Sequence, residues 1–344
     1  MTDLHGGNIY KYRNFFDFSA NINPIGMPES VRKAVIESAD LWQKYPDPYC
    51  TELTEKISEK EKISAGQIVC GNGADDIICR IIAFLRPKNA VICVPCFSEY
   101  ARLLSGNDCK IRTYFLYEKN NFSVKPDIIK YINENTDIIF LCSPNNPTGN
   151  TINPEILRNI AEKCLSAGTI LVCDECFMDF VEDNKNKTSM NFLNKNMIII
   201  KAFTKIYAMA GLRLGYGIFG DSELAGKVRC TGQYWSVSAP AQIAGITALD
   251  ESGYIEKTLN YIGKERNFLT NELSGLGFKV FPAEANFIFF RSNFPVWEIL
   301  KKEKILIRNC ENYNGLDKNF FRIAVRTHEE NIVLISALRR ALIG

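Results

Sequence analysis

The sequence predicts an α/β fold: a large domain built on a mostly parallel sheet, joined to a smaller α+β domain. Three observations predict it. Short, near-continuously apolar runs recur, each followed by a turn and a helical pattern. Several of these runs end in a charged or glycine-rich turn. From about Pro240 the alternation stops, and long helical stretches precede two or three further strands. Apolar strands alternating with helices are what a parallel sheet covered on both faces requires.

Residues 1–30 read as an irregular N-terminal arm, rich in Gly and Asn, that belongs with the small lobe and covers the active site. Helices are expected from Pro28 to about Asp40 and, after the turn Tyr45-Pro46-Asp47-Pro48, to about Lys60. Residues 31–238 form the large domain. Its strand–turn–helix units are QIVCGNGADDIICRIIAFL, NAVICVPCFSEYARLL and TDIIFLCSPNNPTGNTINPEILRNIAEKCL. The strands TILVCD, NMIIIKA and LRLGYGIFG follow. Residues 239–344 form the small domain, with helical Ala241–Leu273, strands in FKVFPAEANFIFFRS, ILIRNC and FRIAVR, and a last helix from Glu329.

The totals exclude several classes. A 344-residue chain with 46% apolar and 23% charged residues is ordinary for a soluble globular protein. Its net charge of +2 and lack of a basic cluster speak against a nucleic-acid surface. No apolar run approaches the roughly 18 residues of a membrane span. The first residues lack the apolar core of a signal peptide, so the expected location is cytoplasmic. The twelve cysteines are scattered. Two C-x-x-C spacings, Cys93 to Cys96 and Cys173 to Cys176, admit a zinc site on spacing alone, but free thiols and no metal are expected.

In open α/β sheets, ligands sit beyond the carboxyl ends of the strands. Gly73, Ala74 and Asp75 join a strand to a helix start, where free N–H groups favour an anion; a plain tight turn is the alternative. Phe97 follows the next strand, placed either to stack on a flat heterocycle or to pack in the core. Asn146 sits in a Pro/Gly loop, either as an amide donor or as a turn residue. Asp174 ends an apolar strand, where a carboxylate needs a partner such as a protonated ring nitrogen; a helix cap or metal ligand is the alternative. Lys205 follows the strand Met197–Ile200, where desolvation would free its amine for Schiff-base chemistry. Arg213, eight residues on, is a second grip on an anion. Together these groups ask for pyridoxal 5'-phosphate.

The motifs GNGADD, SPNNPTG, DECF and FTKIYAMAGLRLGYG stand in the order found in fold-type I pyridoxal-phosphate enzymes, and the chain resembles the aspartate aminotransferase superfamily over nearly its whole length. Within it, HGGN at 5–8, DFSANINPIGMP, KYPDPYC, DECFMDF and ILIRNCENYNGLDKNFFRIAVRTHEEN resemble the threonine-phosphate decarboxylases of cobalamin synthesis. Histidinol-phosphate aminotransferases are near neighbours. The resemblance implies that Lys205 forms the Schiff base, Asp174 partners the pyridinium and Asn146 donates to the ring hydroxyl. It implies that Gly73, Ala74, Thr204 and Arg213 cradle the phosphate and that Phe97 stacks on the ring. Tyr45 would reach the cofactor of a neighbouring subunit, giving a homodimer with shared sites. Arg322 would grip the substrate carboxylate and Arg308 a second anion. His5, Gly6, Gly7, Asn8 and Asn23 would close over the substrate.

Two positions depart from the family pattern. Ala202 stands where many relatives have Ser or Thr, and Phe177 where aminotransferases have Tyr. The expected reaction is decarboxylation of L-threonine O-3-phosphate to (R)-1-aminopropan-2-ol O-phosphate. Transamination of histidinol phosphate is the alternative, with decarboxylation of serine phosphate as a second. A cofactor-binding regulator would call for a DNA-binding module, and the sequence offers no extra domain or basic patch for one.

Overall fold

The computed structural model describes residues 6–343. Its strands, in chain order, are β1 (Phe16–Asp17), β2 (Ile68–Gly71), β3 (Asn89–Val94), β4 (Lys110–Phe115), β5 (Ile138–Cys142), β6 (Ile170–Asp174), β7 (Met197–Ala202) and β8 (Gly215–Phe219). After them come β9 (Lys279–Val280), β10 (Phe287–Arg291), β11 (Ile305–Leu306), β12 (Arg308–Asn309) and β13 (Phe320–Ala324). A seven-stranded sheet has the order β2-β8-β7-β6-β5-β3-β4. Strands β3 to β7 run parallel, and β8 is antiparallel to both its neighbours.

The central strands of the large sheet are mostly apolar because both faces are covered. In β7, Ile198 and Ile200 pack into one buried cluster, and Met197 and Ile199 into the other. In β5, Ile138 and Phe140 divide from Ile139 and Leu141 in the same way. Each fully buried isoleucine contributes roughly 1.5–3 kcal/mol, so both helical layers are tightly bound to the sheet. Strand β4 has no counterpart among the expected strands. It is an edge strand in which Lys110, Arg112 and Phe115 are exposed, so its pattern is half polar.

Strand β4 departs from β3 in one direction, while β5, β6 and β7 extend in the other. The crevice at such a switch point is where an open α/β sheet receives a ligand. The carboxyl ends of β3, β5, β6 and β7 open on that side, followed by Phe97, Asn146, Cys176 and Lys205.

The small sheet is antiparallel, with order β12-β13-β10-β9. Its packing is phenylalanine-rich: Phe289 and Phe320 stack with centroids 5.5 Å apart, and Phe287 meets Phe177 of the large sheet's side edge-on at 5.1 Å. The expected long helical stretch is two helices, Ala239–Leu249 and Tyr254–Gly275, parted at Gly253. The N-terminal segment is tied to this lobe. Strand β1 pairs in parallel with β11. Phe18 N donates to Leu306 O at 2.8 Å, and Ala324 N donates to Phe18 O at 2.8 Å.

Candidate active site

A cavity of about 250 Å³ lies between the sheet edge and the small lobe. Its floor is made by the strand ends. Asp174, 5% exposed, uses one oxygen to accept from Tyr100 Oη and the other to accept from Cys176 N at 3.0 Å. Both donors hold the carboxylate from behind. Tyr100 is itself fully buried against Phe140, and burial beside Asp174 pushes its hydroxyl well above the usual tyrosine range, so it stays a donor.

Lys205 sits in the single helical turn Phe203–Ile206 that follows β7. Its backbone carbonyl accepts from Asn23 N at 3.1 Å. The side chain opens to the cavity, and burial, opposed mainly by Cys176, lowers its pKa. The cations of Arg213 and Arg322 push in the same direction. Among the described residues its amine has no hydrogen bond or ion pair.

The helix Ala74–Leu85 begins at Gly73 with no side-chain cap, which leaves its first N–H groups to an outside acceptor. Gly73 has φ of +86°, and a Cβ there would stand 2.7 Å from Arg213 Nη2. Only glycine lets that guanidinium approach the helix start. Arg213 also has positive φ, +59°, and pairs with Asp75 at 3.7 Å. Thr204, buried beside them, brings a hydroxyl with no partner among the described residues. Ala202 and Ala74 line the same wall, and Phe97 and Phe177 line the cavity as well.

The opposite wall comes from the small lobe and the N-terminal segment. Arg322 is 5% exposed and has no carboxylate partner among the described residues. It donates to Asn146 Oδ1 and, at 2.7 Å, to Ser19 O. Its Nε is buried without a partner among the described residues, and the ring of Phe287 lies 5.5 Å away. A buried cation without a counter-charge is costly, so this site calls for an anion. Because Asn146 spends its oxygen on Arg322 and Tyr313, its Nδ2 remains to donate.

Most residues singled out from the sequence converge here: Lys205, Asp174, Ala74, Asp75, Phe97, Asn146, Thr204, Arg213, Gly6 and Arg322 all line the cavity, and Gly73 stands behind the Arg213 guanidinium. Arg308, Gly7 and Asn8 line a neighbouring cavity of about 490 Å³ that shares Gly6 and Ser19 with the first. Asn23 does not meet the expectation of a substrate contact. It is 2% exposed, and its Nδ2 is spent on Ile206 O, Tyr254 Oη and Thr258 Oγ1. Asn21, two residues earlier, faces the cavity instead, with a buried Oδ1 that has no partner among the described residues. Tyr45 lies away from this cavity, 78% exposed and stacked on Trp235 at 4.3 Å. His5 lies outside the described residues.

The sequence reading missed Ser19, Asn21, Tyr100 as the partner of Asp174, Cys142, Cys176 and Tyr313. Buried aromatics and thiols in apolar runs look like core, and no signal in the sequence separates these from their neighbours. The groups fit pyridoxal phosphate. An uncommitted buried amine, a carboxylate held from behind, an uncapped helix start beside an arginine and the Asn146 amide, with its Nδ2 left to donate, supply one group for each polar feature of that cofactor.

The family model for aminotransferase class I and II matches residues 13–338. The threonine-phosphate decarboxylase of Salmonella typhimurium is 34% identical, over 100% of this chain and 98% of its own length. The adenosylcobalamin biosynthesis bifunctional protein CobDQ of Leptospira interrogans is 35% identical over 99% of this chain and 41% of its own length. The histidinol-phosphate aminotransferase structure from Clostridium acetobutylicum superposes with a TM-score of 0.89 at 32% identity, covering 95% of this chain and 99% of that one.

Proposed function

Because the chain belongs to the aminotransferase class I and II family and is a pyridoxal-phosphate-dependent enzyme, a decarboxylase or an aminotransferase, we propose that it decarboxylates L-threonine O-3-phosphate to (R)-1-aminopropan-2-ol O-phosphate. One relative's name speaks of adenosylcobalamin biosynthesis, and on that support we assign this chain to the aminopropanol arm of cobalamin synthesis. The observation that carries the proposal is the register of Arg308 against Arg322. The two are direct partners in the antiparallel β12–β13 pair, and both are buried. Like charges in that arrangement repel, and a substrate with two anionic groups a few bonds apart relieves them. Threonine phosphate carries a carboxylate and a phosphate.

When bound, the cofactor supplies an electron sink for the pair released at the substrate's α-carbon. The residues do the rest. Lys205 would hold the aldehyde carbon and would carry a proton to the substrate's α-carbon, a role its lowered pKa suits. Asp174 would keep the ring nitrogen protonated. Asn146 would donate to the ring hydroxyl, and Phe97 would cover the ring. Gly73, Ala74, Asp75, Thr204 and Arg213 would hold the phosphate. Arg322 and Arg308 would fix the substrate's two anions, and that orientation would select which bond at the α-carbon breaks. Gly6, Gly7 and Asn8, with His5 before them, cover the substrate.

The chain works as residues 1–30, 31–238 and 239–344, and as a homodimer in the cytoplasm. Tyr45, Tyr49, Tyr234 and Trp235 are all strongly exposed, and a second copy of the chain would cover them. Tyr45 then reaches the partner's cofactor phosphate.

The test is direct. Threonine phosphate should yield CO₂ and aminopropanol phosphate with no keto acid. A second reading, transamination, is favoured by the fit to the Clostridium structure. Glutamate and a keto phosphate formed from histidinol phosphate and 2-oxoglutarate, with no CO₂ from threonine phosphate, would establish it instead. Serine phosphate belongs in the same assay.

A further inference from the structure

Arg322 and Arg308 face two different cavities, although their Cα atoms are cross-strand partners. What separates them is Tyr313, from the loop between β12 and β13. The Arg308 guanidinium lies over the Tyr313 ring, 5.1 Å from its centroid. The Tyr313 hydroxyl points the other way, donating to Asn146 Oδ1 at 3.4 Å, the same oxygen that accepts from Arg322. The ring is thus a partition with one guanidinium on its face and the other beyond its hydroxyl. Arg308 is braced on its outer side by Asn312 Oδ1 at 2.7 Å. Burial raises the tyrosine's pKa, so the hydroxyl stays neutral between the cations.

The two cavities share Gly6 and Ser19 in their walls. Gly6 packs directly on Ser19 there: a Cβ on Gly6 would stand 2.3 Å from Ser19 O. A ligand that reaches both guanidinium groups must turn round the edge of the Tyr313 ring. Its two anions must therefore be separated by a set number of bonds.

We propose that Tyr313 determines substrate specificity by fixing the spacing between the two anionic groups the site accepts. A compact amino acid with phosphate on its β-oxygen spans the partition, and its isomer with the phosphate one carbon further along the chain does not. The inference rests on the proposed substrate class and adds the residue that selects within it.

The experiment measures Kd of the holoenzyme for O-phosphothreonine and O-phosphohomoserine, read from the absorbance change of the bound cofactor. One more carbon between the two anions, against a fixed wall, is worth about tenfold or more, so the wild type should prefer phosphothreonine by at least that factor. Tyr313→Ala should bring the two Kd values within about twofold, chiefly by tightening the longer ligand. Tyr313→Phe keeps the ring and should keep the preference. Tyr313→Leu retains apolar packing and tests the same point if the alanine variant does not fold. Equal weakening of both ligands in the alanine and leucine variants would overturn the inference. So would a wild type that turns over phosphothreonine yet binds both ligands equally, a result that leaves the decarboxylase reading standing. A wild type that binds neither would overturn both.

Discussion

Replacing Asn23 by alanine separates two roles that the sequence could not tell apart. Its side chain has two N–H groups shared among three acceptors at 2.8 to 2.9 Å, and its Oδ1 accepts from Ile25 N at 3.1 Å. Alanine thus removes three hydrogen bonds from a site that is 2% exposed. At about 1 kcal/mol each the loss is about 3 kcal/mol, and the stranded Ile206 carbonyl pushes it upward. Unfolding entropy of about 2.1 cal/mol/K per residue gives about 0.7 kcal/mol/K for this chain, so Tm should fall by about 4 °C. Calorimetry of the holoenzyme reads this directly, with KM for threonine phosphate measured on the same preparation. The clamp role predicts the fall in Tm with KM within about twofold of wild type. An unchanged Tm with a tenfold rise in KM would refute it and restore Asn23 as a substrate contact.

Four further outcomes follow from the cofactor side. Lys205 has a lowered pKa, so the rate at which apoprotein recaptures pyridoxal phosphate should rise with pH and level off below the ordinary lysine value of about 10.4. Arg213→Gln removes a nearby cation, raises that pKa and should move the midpoint of the same stopped-flow profile to higher pH; no movement would contradict the assignment. Gly73→Ala should weaken cofactor binding at least about tenfold by equilibrium dialysis, because the new methyl displaces the Arg213 guanidinium. Ala202→Ser adds a hydroxyl to the cavity wall beside Thr204 and should tighten cofactor Kd about fivefold, equivalent to about 1 kcal/mol.

Much of the site was legible because of how the large sheet is built. A strand covered on both faces is apolar at every position, so Asp174 and Lys205 stand out at the carboxyl ends as charges that need a reason. Strand β4 escaped because it lies at the edge, where Lys110 and Arg112 are exposed. The choice between Asn21 and Asn23 lies in a segment with no regular period, so neither side chain's direction could be read. Tyr100 and Tyr313 look like core in the sequence and are core by burial, but each spends its hydroxyl on a site residue. Tyr45 carries a different lesson, since its stacking partner Trp235 lies nearly two hundred positions away and the pair stays exposed on one chain.

The seating of Phe18 between Leu306 and Ala324 has a consequence for how the protein is made. Every group assigned to the cofactor, from Gly73 to Arg213, leaves the ribosome before β11 and β13 exist. A nascent chain can therefore shape the cofactor side while residues 16–21, synthesised first of all, still lack the strands that hold them. Ser19 and Asn21 reach their places only when the last strands arrive, and Arg322 arrives with them. The residues assigned to the substrate are thus completed last, and an unfinished chain lacks the strand that carries Arg322.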